Sequence, residues 1–297
     1  MELFVQNHSS YPRIGDTAAM VAAQEDAGAD IVTDGQVGWA DPIAHVMSAL
    51  DGVRLASPLP YFDSGLSFLQ PVITGPIRRR GPILREAFMA ARRTAHRVVK
   101  PVMPGPYTLA RLAAIESGPY RDVPSLAQAL SEVLAAEVAD LVSAGAELIQ
   151  VDEPAILAQP DDIRLFRQLL EPLWQARGEG QLMLATYGGD VEPLYAQINS
   201  LPADIIALDC SRAPALIDTI AATGASKALA LGLVDGRSAT IESAETIARR
   251  AEKALQRYTL DPIYLVPACG LGGLPSAAAR GKLQRLREAG NLVLRGS

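Results

Sequence analysis

The sequence is poor in several residue types that would point to particular classes of protein. Its 297 residues include only two cysteines, Cys210 and Cys269, and three histidines. Two cysteines cannot build the disulfide framework of a small secreted protein. Acidic residues outnumber basic ones by 33 to 27, and the longest basic run is Arg78-Arg79-Arg80. The concentrated positive surface of a nucleic-acid-binding protein is therefore not expected.

Long apolar runs are also missing. Windows such as Ile205 to Leu208 or Ala228 to Val234 are far shorter than the roughly 20 residues that a membrane-spanning helix needs. The first residues, Met1 to Gln6, have no basic region and no cleavage-type site, so they are interpreted as mature chain. These absences predict a cytoplasmic protein without a membrane partner. The hydrophobic content of 49% is enough to bury a large core.

What the sequence does contain is an alternation of short apolar runs with long amphipathic segments. Continuous apolar runs of four to seven residues are typical of parallel strands that are buried on both faces. Eight such runs occur: Leu3–Gln6, Asp30–Thr33, Val98–Met103, Glu147–Val151, Gln181–Ala185, Asp204–Leu208, Ala228–Val234 and Pro262–Val266. The segments between them predict helices, with Asp16 and Ser125 as N-caps of two of them.

Eight strands that each precede a helix, over this length, predict an α/β fold of the (β/α)8 TIM-barrel type. We predict a single domain over residues 1–297, with an excursion at about 52–80, where several prolines disfavour a barrel strand. A doubly wound sheet is the alternative, but no Gly-x-Gly-x-x-Gly motif opens the first helix. For the same reason no nucleotide cofactor is predicted.

Polar side chains follow the predicted strands, where the active site of such a barrel lies. They include Asp152, Glu153, Asp209, Asp235 and Cys269. The adjacent carboxylates Asp152 and Glu153 suit binding of an ammonium group or proton transfer, although helix capping is the ordinary alternative. Asp209 and Asp235 could equally be strand-end caps. Cys269 could be a buried hydrophobic residue or a reactive thiolate.

Several motifs, taken in order, resemble those of a known family. They are Ser9–Arg13, Gln24–Asp30, Asp34–Gln36, Pro104–Thr108, Gln150–Ala155, Asp209–Arg212 and Cys269–Leu271. Together they resemble the C-terminal catalytic barrel of cobalamin-independent methionine synthase, over Phe4 to about Arg287. The resemblance implies a short, single-barrel methyltransferase without the folate-recruiting N-terminal half of the long enzyme.

The resemblance also implies a zinc ion that holds the acceptor thiol as a thiolate, since zinc lowers the pKa of a bound thiol. Of the four family ligands, the cysteine corresponds to Cys269 and the glutamate to Asp209. The His-x-Cys pair corresponds to Leu184 and Thr186, which cannot serve as zinc ligands. His8 is a speculative third ligand. Zinc is therefore a doubtful cofactor, and the predicted metal site is degraded or absent.

The resemblance implies a thiol-substrate pocket in which Asp152 binds an amino group and Ser10 lies where a carboxylate is held. Gln36 stands where the family has a second amino-binding acid, and Arg237 follows Asp235 where the long enzyme has a histidine. Arg237 could instead face an anionic group. The predicted substrate-binding residues are Ser10, Gln36, Asp152, Glu153, Tyr187 and Arg237. The predicted catalytic residues are Asp209, Asp235 and Cys269.

Three functions remain open at this point. The first is transfer of a methyl or other alkyl group to a small thiol or amino-acid-like nucleophile, from a corrinoid protein, a methylfolate or a small methylated compound. The second is a zinc-free lyase or demethylase, in which the carboxylates perform acid–base chemistry or Cys269 is the nucleophile. The third is a non-catalytic relative that binds a small amino acid or thiol.

Overall fold

The fold is described from a computed structural model, which covers residues 2–62 and 64–296. Within these residues the chain forms twelve strands, ten α-helices and three short 3-10 helices. The strands are β1 (Leu3–Val5), β2 (Ile31–Val32), β3 (Leu50–Pro60), β4 (Ser67–Arg79), β5 (Val98–Val99), β6 (Val102–Pro104), β7 (Ala114–Ile115), β8 (Leu148–Asp152), β9 (Gln181–Thr186), β10 (Ile205–Asp209), β11 (Ala228–Val234) and β12 (Ile263–Pro267). The helices are α1 (Thr17–Asp26), α2 (Pro42–Ser48), α3 (Arg85–Thr94), α4 (Pro106–Leu112), α5 (Val123–Ser143), α6 (Ile163–Ala176), α7 (Tyr195–Ile198), α8 (Pro214–Thr223), α9 (Ala244–Ala254) and α10 (Ser276–Gly296).

The parallel strands close into a barrel. Seven of them pair in the order β1-β12-β11-β10-β9-β8-β6, and β2 pairs with β5. A bridge between Gln6 and Ile31 joins β1 to β2. β5 and β6 make one barrel strand, interrupted at Lys100 and Pro101, because a proline cannot donate to the sheet ladder. The (β/α)8 prediction is confirmed, and the eight predicted runs are the eight barrel strands.

Two apolar layers hold the barrel together. A small cluster inside it includes Met183, Ala185, Ile205 and Ala207. A larger cluster fills the space between strands and helices and includes Leu182 and Leu184. Successive residues of a strand point to opposite faces, so this division shows which residues of β9 and β10 face the barrel interior.

The segment after α2 lies outside the barrel sheet. β3 and β4 form a long antiparallel hairpin, and β7 adds to it beside β4 in parallel. The hairpin turn carries Tyr61, Phe62 and Leu66 towards the end of the barrel where the strands finish. The division of the chain into one domain stays a prediction.

The helix caps match the sequence in one case and differ in another. Asp16 caps α1, and its side chain accepts a hydrogen bond from the Ala19 amide at 3.0 Å. The cap of α5 is Asp122 rather than Ser125, which is the third helical residue and completes a reciprocal capping box. The prediction for Ser125 was wrong because Pro124 fits the first turn of a helix and lets the helix begin earlier. In the described part of the chain, none of the helices combines the length and apolar character that a bilayer crossing would require.

Candidate active site

A cavity of about 610 Å³ opens at the carboxyl ends of the barrel strands. This is the end at which TIM barrels carry their active sites. Side chains that follow β1, β2, β8, β9, β11 and β12 line it together with the hairpin turn. Six predicted site residues belong to the lining: Ser10, Gln36, Asp152, Tyr187, Arg237 and Cys269. The other three, Glu153, Asp209 and Asp235, are outside it.

Asp152 is the last residue of β8 and is only 6% exposed. Its Oδ1 accepts a hydrogen bond from Gln150 Nε2 at 2.7 Å, and its Oδ2 accepts one from the Tyr187 hydroxyl at 3.2 Å. Burial raises the pKa of Asp152 to about 6, against the opposing effects of Gln150, Lys100 and Tyr187. Among the described residues it forms no ion pair. A carboxylate whose hydrogen bonds come only from neutral donors is suited to receive a cation or a proton.

Lys100 lies in the barrel beneath this carboxylate and was missed by the sequence reasoning. Its side chain is fully buried; Nζ donates to Gln6 Oε1 at 2.6 Å and also to Gln150 Oε1. Gln150 thus joins the ammonium group to Asp152. Burial lowers the pKa of Lys100 to about 7, and Asp152 opposes this. The sequence did contain a signal for it, namely a lysine within an otherwise apolar predicted strand. A charged group buried in this way needs polar partners, so it points to a polar site inside the barrel.

Glu153 follows Asp152 directly but has a different function. Strand alternation turns its side chain to the other face of β8, where it is fully buried. Its carboxylate accepts hydrogen bonds from the Tyr107 amide at 3.0 Å, the Thr108 amide at 2.7 Å and Thr108 Oγ1 at 2.6 Å. It therefore caps the start of α4. The prediction that Glu153 binds substrate disagrees with this position.

The Arg237 cluster, which comprises Asp209, Asp235, Arg237 and Cys269, forms another part of the site. Arg237 Nη2 donates to Asp209 Oδ2 at 2.9 Å, and its Nε lies 2.8 Å from Asp235 Oδ1. Asp209 is fully buried, and its Oδ1 also accepts hydrogen bonds from the amide and hydroxyl groups of Ser211. One guanidinium is thus shared by two carboxylates, and neither carboxylate lines the cavity.

Cys269 does line the cavity but is 8% exposed. Burial raises the pKa of its thiol to about 12; Arg237 opposes this, and Asp209 and Asp235 add to it. Gly236 packs so closely that a Cβ there would lie 2.8 Å from Cys269 Sγ. At neutral pH the side chain is consequently a thiol, and a thiolate nucleophile is not favoured by this environment.

Ser10 and Gln36 add uncharged polar groups to the wall. Ser10 Oγ accepts a hydrogen bond from the Gly272 amide at 3.2 Å. Gly270 must be a glycine here, because a Cβ would lie 2.4 Å from Ser10 Oγ. Gln36 has a φ of 57°, a left-handed conformation that costs a non-glycine residue about 1 kcal/mol. Such strain is found at functional sites more often than elsewhere.

The residues present do not fit a zinc ion. Leu184 packs in the layer between strands and helices, and alternation gives Thr186 the same direction. The residues of this segment that face inwards are Met183, Ala185 and Tyr187. Asp209 already binds Arg237. Within residues 2–62 and 64–296 no three His, Cys, Asp or Glu side chains are grouped so that they could hold a metal.

His8, the speculative ligand, belongs to the side of Asp152 rather than to Cys269. It is 2% exposed, and its Nδ1 lies 3.0 Å from Ser9 Oγ and 3.3 Å from Gln150 Nε2. Its ring meets that of Tyr187 edge-on, with centroids 5.2 Å apart. Burial, Lys100 and Arg237 lower the pKa of His8 well below its usual value. His8 therefore supports the hydrogen bonds around Asp152 as a neutral ring.

The fold is a (β/α)8 barrel with a cavity at the carboxyl ends of its strands. Residues 2–291 match the family described as "Cobalamin-independent synthase, Catalytic domain". The chain belongs to this family, and it is an enzyme of a methyltransferase family.

Individual relatives agree with this assignment. The chain is 26% identical over 281 residues to a "Methionine synthase" of Saccharolobus solfataricus, covering 93% of this chain and 83% of the relative. It is 25% identical over 304 residues to the "5-methyltetrahydropteroyltriglutamate--homocysteine methyltransferase" of Rhodococcus jostii, of which it spans 38%. A B12-independent methionine synthase from Shewanella sp. W3-18-1, solved with selenomethionine, has the same fold, with a TM-score of 0.89 and 21% identity. The superposition covers 100% of this chain and 99% of that one.

Proposed function

We propose that this enzyme transfers a methyl or related alkyl group from a small donor to a thiol or similar nucleophile, without a tightly bound zinc ion. One observation carries the proposal: in a chain of this family, the carboxylate of Asp152 reaches the cavity and, among the described residues, accepts hydrogen bonds from neutral groups only. Relatives named as methionine synthases make methyl transfer the reaction to test first.

The residues divide the work as follows. With a pKa of about 6, Asp152 is largely ionised at neutral pH and can bind a positive group of a substrate or accept a proton. Ser10 and Gln36 supply hydrogen bonds that fix the orientation of a bound molecule. Arg237 holds the chain after β11 against Asp209, and burial keeps Cys269 beside the cavity as a neutral thiol. Orienting two reactants in one cavity is itself a large contribution to rate.

The test is transfer of an isotopically labelled methyl group to homocysteine. Methyltetrahydropteroyltriglutamate, methylcobalamin and a small methylated sulfonium compound are supplied as separate donors, and labelled methionine is detected by mass spectrometry. We expect labelled product to form at the same rate with and without prior treatment of the enzyme with a chelator. A stoichiometric zinc in the purified protein, with activity lost on chelation and restored by zinc, would contradict the zinc-free part of the proposal.

Asp152→Asn provides the variant and Asp161→Asn its control. Asp161 is exposed and lies in a short 3-10 turn (Pro160–Asp162) outside the cavity lining. Loss of a charged hydrogen-bonding partner should reduce kcat/KM by roughly 10- to 100-fold. The control should stay near the unmodified enzyme. Equal rates for both variants would show that the charge of Asp152 does not contribute to the reaction.

A non-catalytic binding protein is the second candidate, and the Arg237 cluster favours it. There the thiol is protonated and Asp209 is already paired, so both predicted metal ligands are unsuited to activate an acceptor. If this candidate is right, a ligand raises the unfolding temperature, because a molecule that binds only the folded state stabilises it. No labelled product then forms with any donor.

A further inference from the structure

Aromatic side chains are concentrated around the cavity. Five of the chain's 15 aromatic residues line it: Tyr11, Trp39, Tyr61, Phe62 and Tyr187. They come from four separate parts of the chain, namely the segments after β1, β2 and β9 and the hairpin turn. An apolar core would account for some of these rings, but the wall here is in contact with open space.

Three of these rings lie next to one another and next to a carboxylate. The ring centroids of Tyr61 and Phe62 are 4.8 Å apart, and the ring planes meet at 76°. The hydroxyl groups of Tyr61 and Tyr187 are 3.0 Å apart, and that of Tyr187 donates to Asp152. Together these groups form one continuous wall. It consists of two nearly perpendicular rings, a third ring that is hydrogen-bonded to one of them, and a carboxylate. We call this wall the aromatic corner (Tyr61, Phe62, Tyr187 and Asp152).

The charges around the cavity also favour a positive ligand. Arg237 is a cation in the cavity wall, but Asp209 and Asp235 together outweigh its charge. Lys100 lies beneath Asp152, and burial lowers its pKa to about 7, so its positive charge is partly lost at neutral pH. Arg13 lies on the exposed rim. Asp41 lines the cavity as well, yet its two oxygens accept hydrogen bonds from the Ala44 and Leu69 amides. Among the described residues, Asp152 is therefore the lining carboxylate whose hydrogen bonds come from neutral side chains.

We propose that the aromatic corner binds the methyl donor as a methylated onium compound, in which a positively charged sulfur or nitrogen carries the methyl group. This inference rests on the proposed function and specifies its donor. Aromatic faces attract such cations through the ring quadrupole, and a cage of rings beside a carboxylate is a recurrent way to bind them. Neither a folate-binding domain nor a metal is required to hold a donor of this kind.

The reaction balances without a further reactant. A lone pair of the acceptor sulfur forms a bond to the methyl carbon, and the bond from that carbon to the onium atom breaks. The electron pair stays on the onium atom, which leaves as a neutral thioether or tertiary amine. The proton of the acceptor thiol is released to solvent. With a sulfonium donor, a cation is consumed at the aromatic corner and a neutral thioether remains, which binds there more weakly and is released. With an ammonium donor, the tertiary amine can take up the proton of the thiol and leaves as a cation.

The inference is tested first by binding, independently of turnover. The probes are choline and 3,3-dimethylbutan-1-ol, which have the same shape but differ in the charge of the central atom. We expect choline to bind at least about tenfold more tightly, as a desolvated cation–π site with a nearby carboxylate predicts. Isothermal titration calorimetry gives both affinities. If the neutral alcohol binds as tightly as choline, or if neither binds, the proposal is wrong.

Variants test whether the aromatic corner is responsible for the preference for choline over the neutral alcohol. Tyr61→Leu removes a ring, whereas Tyr61→Phe keeps it and removes only the hydroxyl group. The leucine variant should lose most of the preference for choline, and the phenylalanine variant should retain most of it. Asp152→Asn should reduce the preference as well. Circular dichroism checks that each variant is folded. Equal loss in both Tyr61 variants would show that the ring does not bind the cation.

Transfer experiments then identify the onium atom. Labelled S-methylmethionine and glycine betaine are compared as sulfonium and ammonium donors, with homocysteine as acceptor. Labelled product from either one supports the inference and names the source. Product from methylcobalamin or a methylfolate, without binding of choline, would overturn this inference and leave the proposed function intact. Binding of choline without transfer from any donor would support the cation site and count against the transferase.

Discussion

The two sides of the cavity differ in how their acidic residues are neutralised. On one side the buried carboxylate of Asp152 accepts hydrogen bonds from the neutral side chains of Gln150 and Tyr187. On the other, Asp209 and Asp235 share the guanidinium of Arg237 beside a protonated thiol. A buried charge has to be compensated, and this difference is why we expect a ligand to bind beside Asp152 rather than beside the Arg237 cluster. We therefore expect Asp152 to act in binding and the Arg237 cluster to act in stability.

The largest expected effect comes from breaking the Arg237 cluster. Arg237→Met leaves two acidic side chains without their cation, one of them fully buried, and should lower the free energy of unfolding by about 3–5 kcal/mol. Urea denaturation measures the loss. Arg54→Met is the control, because its ion pair with Glu116 is more than half exposed and such pairs contribute about 0–1 kcal/mol.

Adding Asp209→Asn to Arg237→Met should restore part of the stability, since the uncompensated charge is then removed. If Arg237→Met is no more destabilising than Arg54→Met, the guanidinium does not neutralise the cluster and the contrast between the two sides fails.

The thiol provides the second test. With a pKa of about 12 for Cys269 and also for Cys210, iodoacetamide should react with the folded protein at neutral pH about a thousandfold more slowly than with an ordinary thiol, since the thiolate reacts. Mass spectrometry of a Cys210→Ser variant isolates Cys269. Rapid alkylation would mean a thiolate and would restore Cys269 as a nucleophile or metal ligand.

A smaller effect concerns the pH dependence of binding at Asp152. Its carboxyl group is neutral below a pKa of about 6 and charged above it, so the affinity for choline should fall as the pH drops through 6, by up to about tenfold. Lys100, Glu153, Tyr61 and Tyr187 are the other titratable groups that interact with it. Asp152→Asn should remove the change, and persistence of the change in that variant would assign it to another group.

The smallest effect tests the link through Gln150. Lys100 stabilises the charged form of Asp152, so Lys100→Met should move the midpoint of the same titration to higher pH, by less than about one unit. Calorimetric titrations across the pH range, on variants that remain folded by circular dichroism, measure the midpoint. A midpoint that moves downwards would mean that the ammonium group does not act on Asp152.

Much of the fold could be predicted from the sequence, because the apolar runs and the capping residues are local signals. The site was harder to predict. Asp152 and Cys269 do line the cavity, but their neighbours in space come from distant strands. The pairing of Arg237 with Asp209 depends on the side-by-side packing of the consecutive strands β10 and β11. The partners of the buried Lys100 come from strands far apart in the chain, β1 and β8.

The adjacent residues Asp152 and Glu153 show which features follow from residue order and which follow from the folded structure. The residue order alone determined that one of them would face into the barrel and the other away from it, since a strand alternates its faces. Only the tertiary structure decided what each would meet: a cavity for Asp152, and the first turn of α4 for Glu153. The same carboxylate chemistry thus became a candidate binding group in one case and a helix cap in the other, because the charge of a buried group is set by the atoms packed around it.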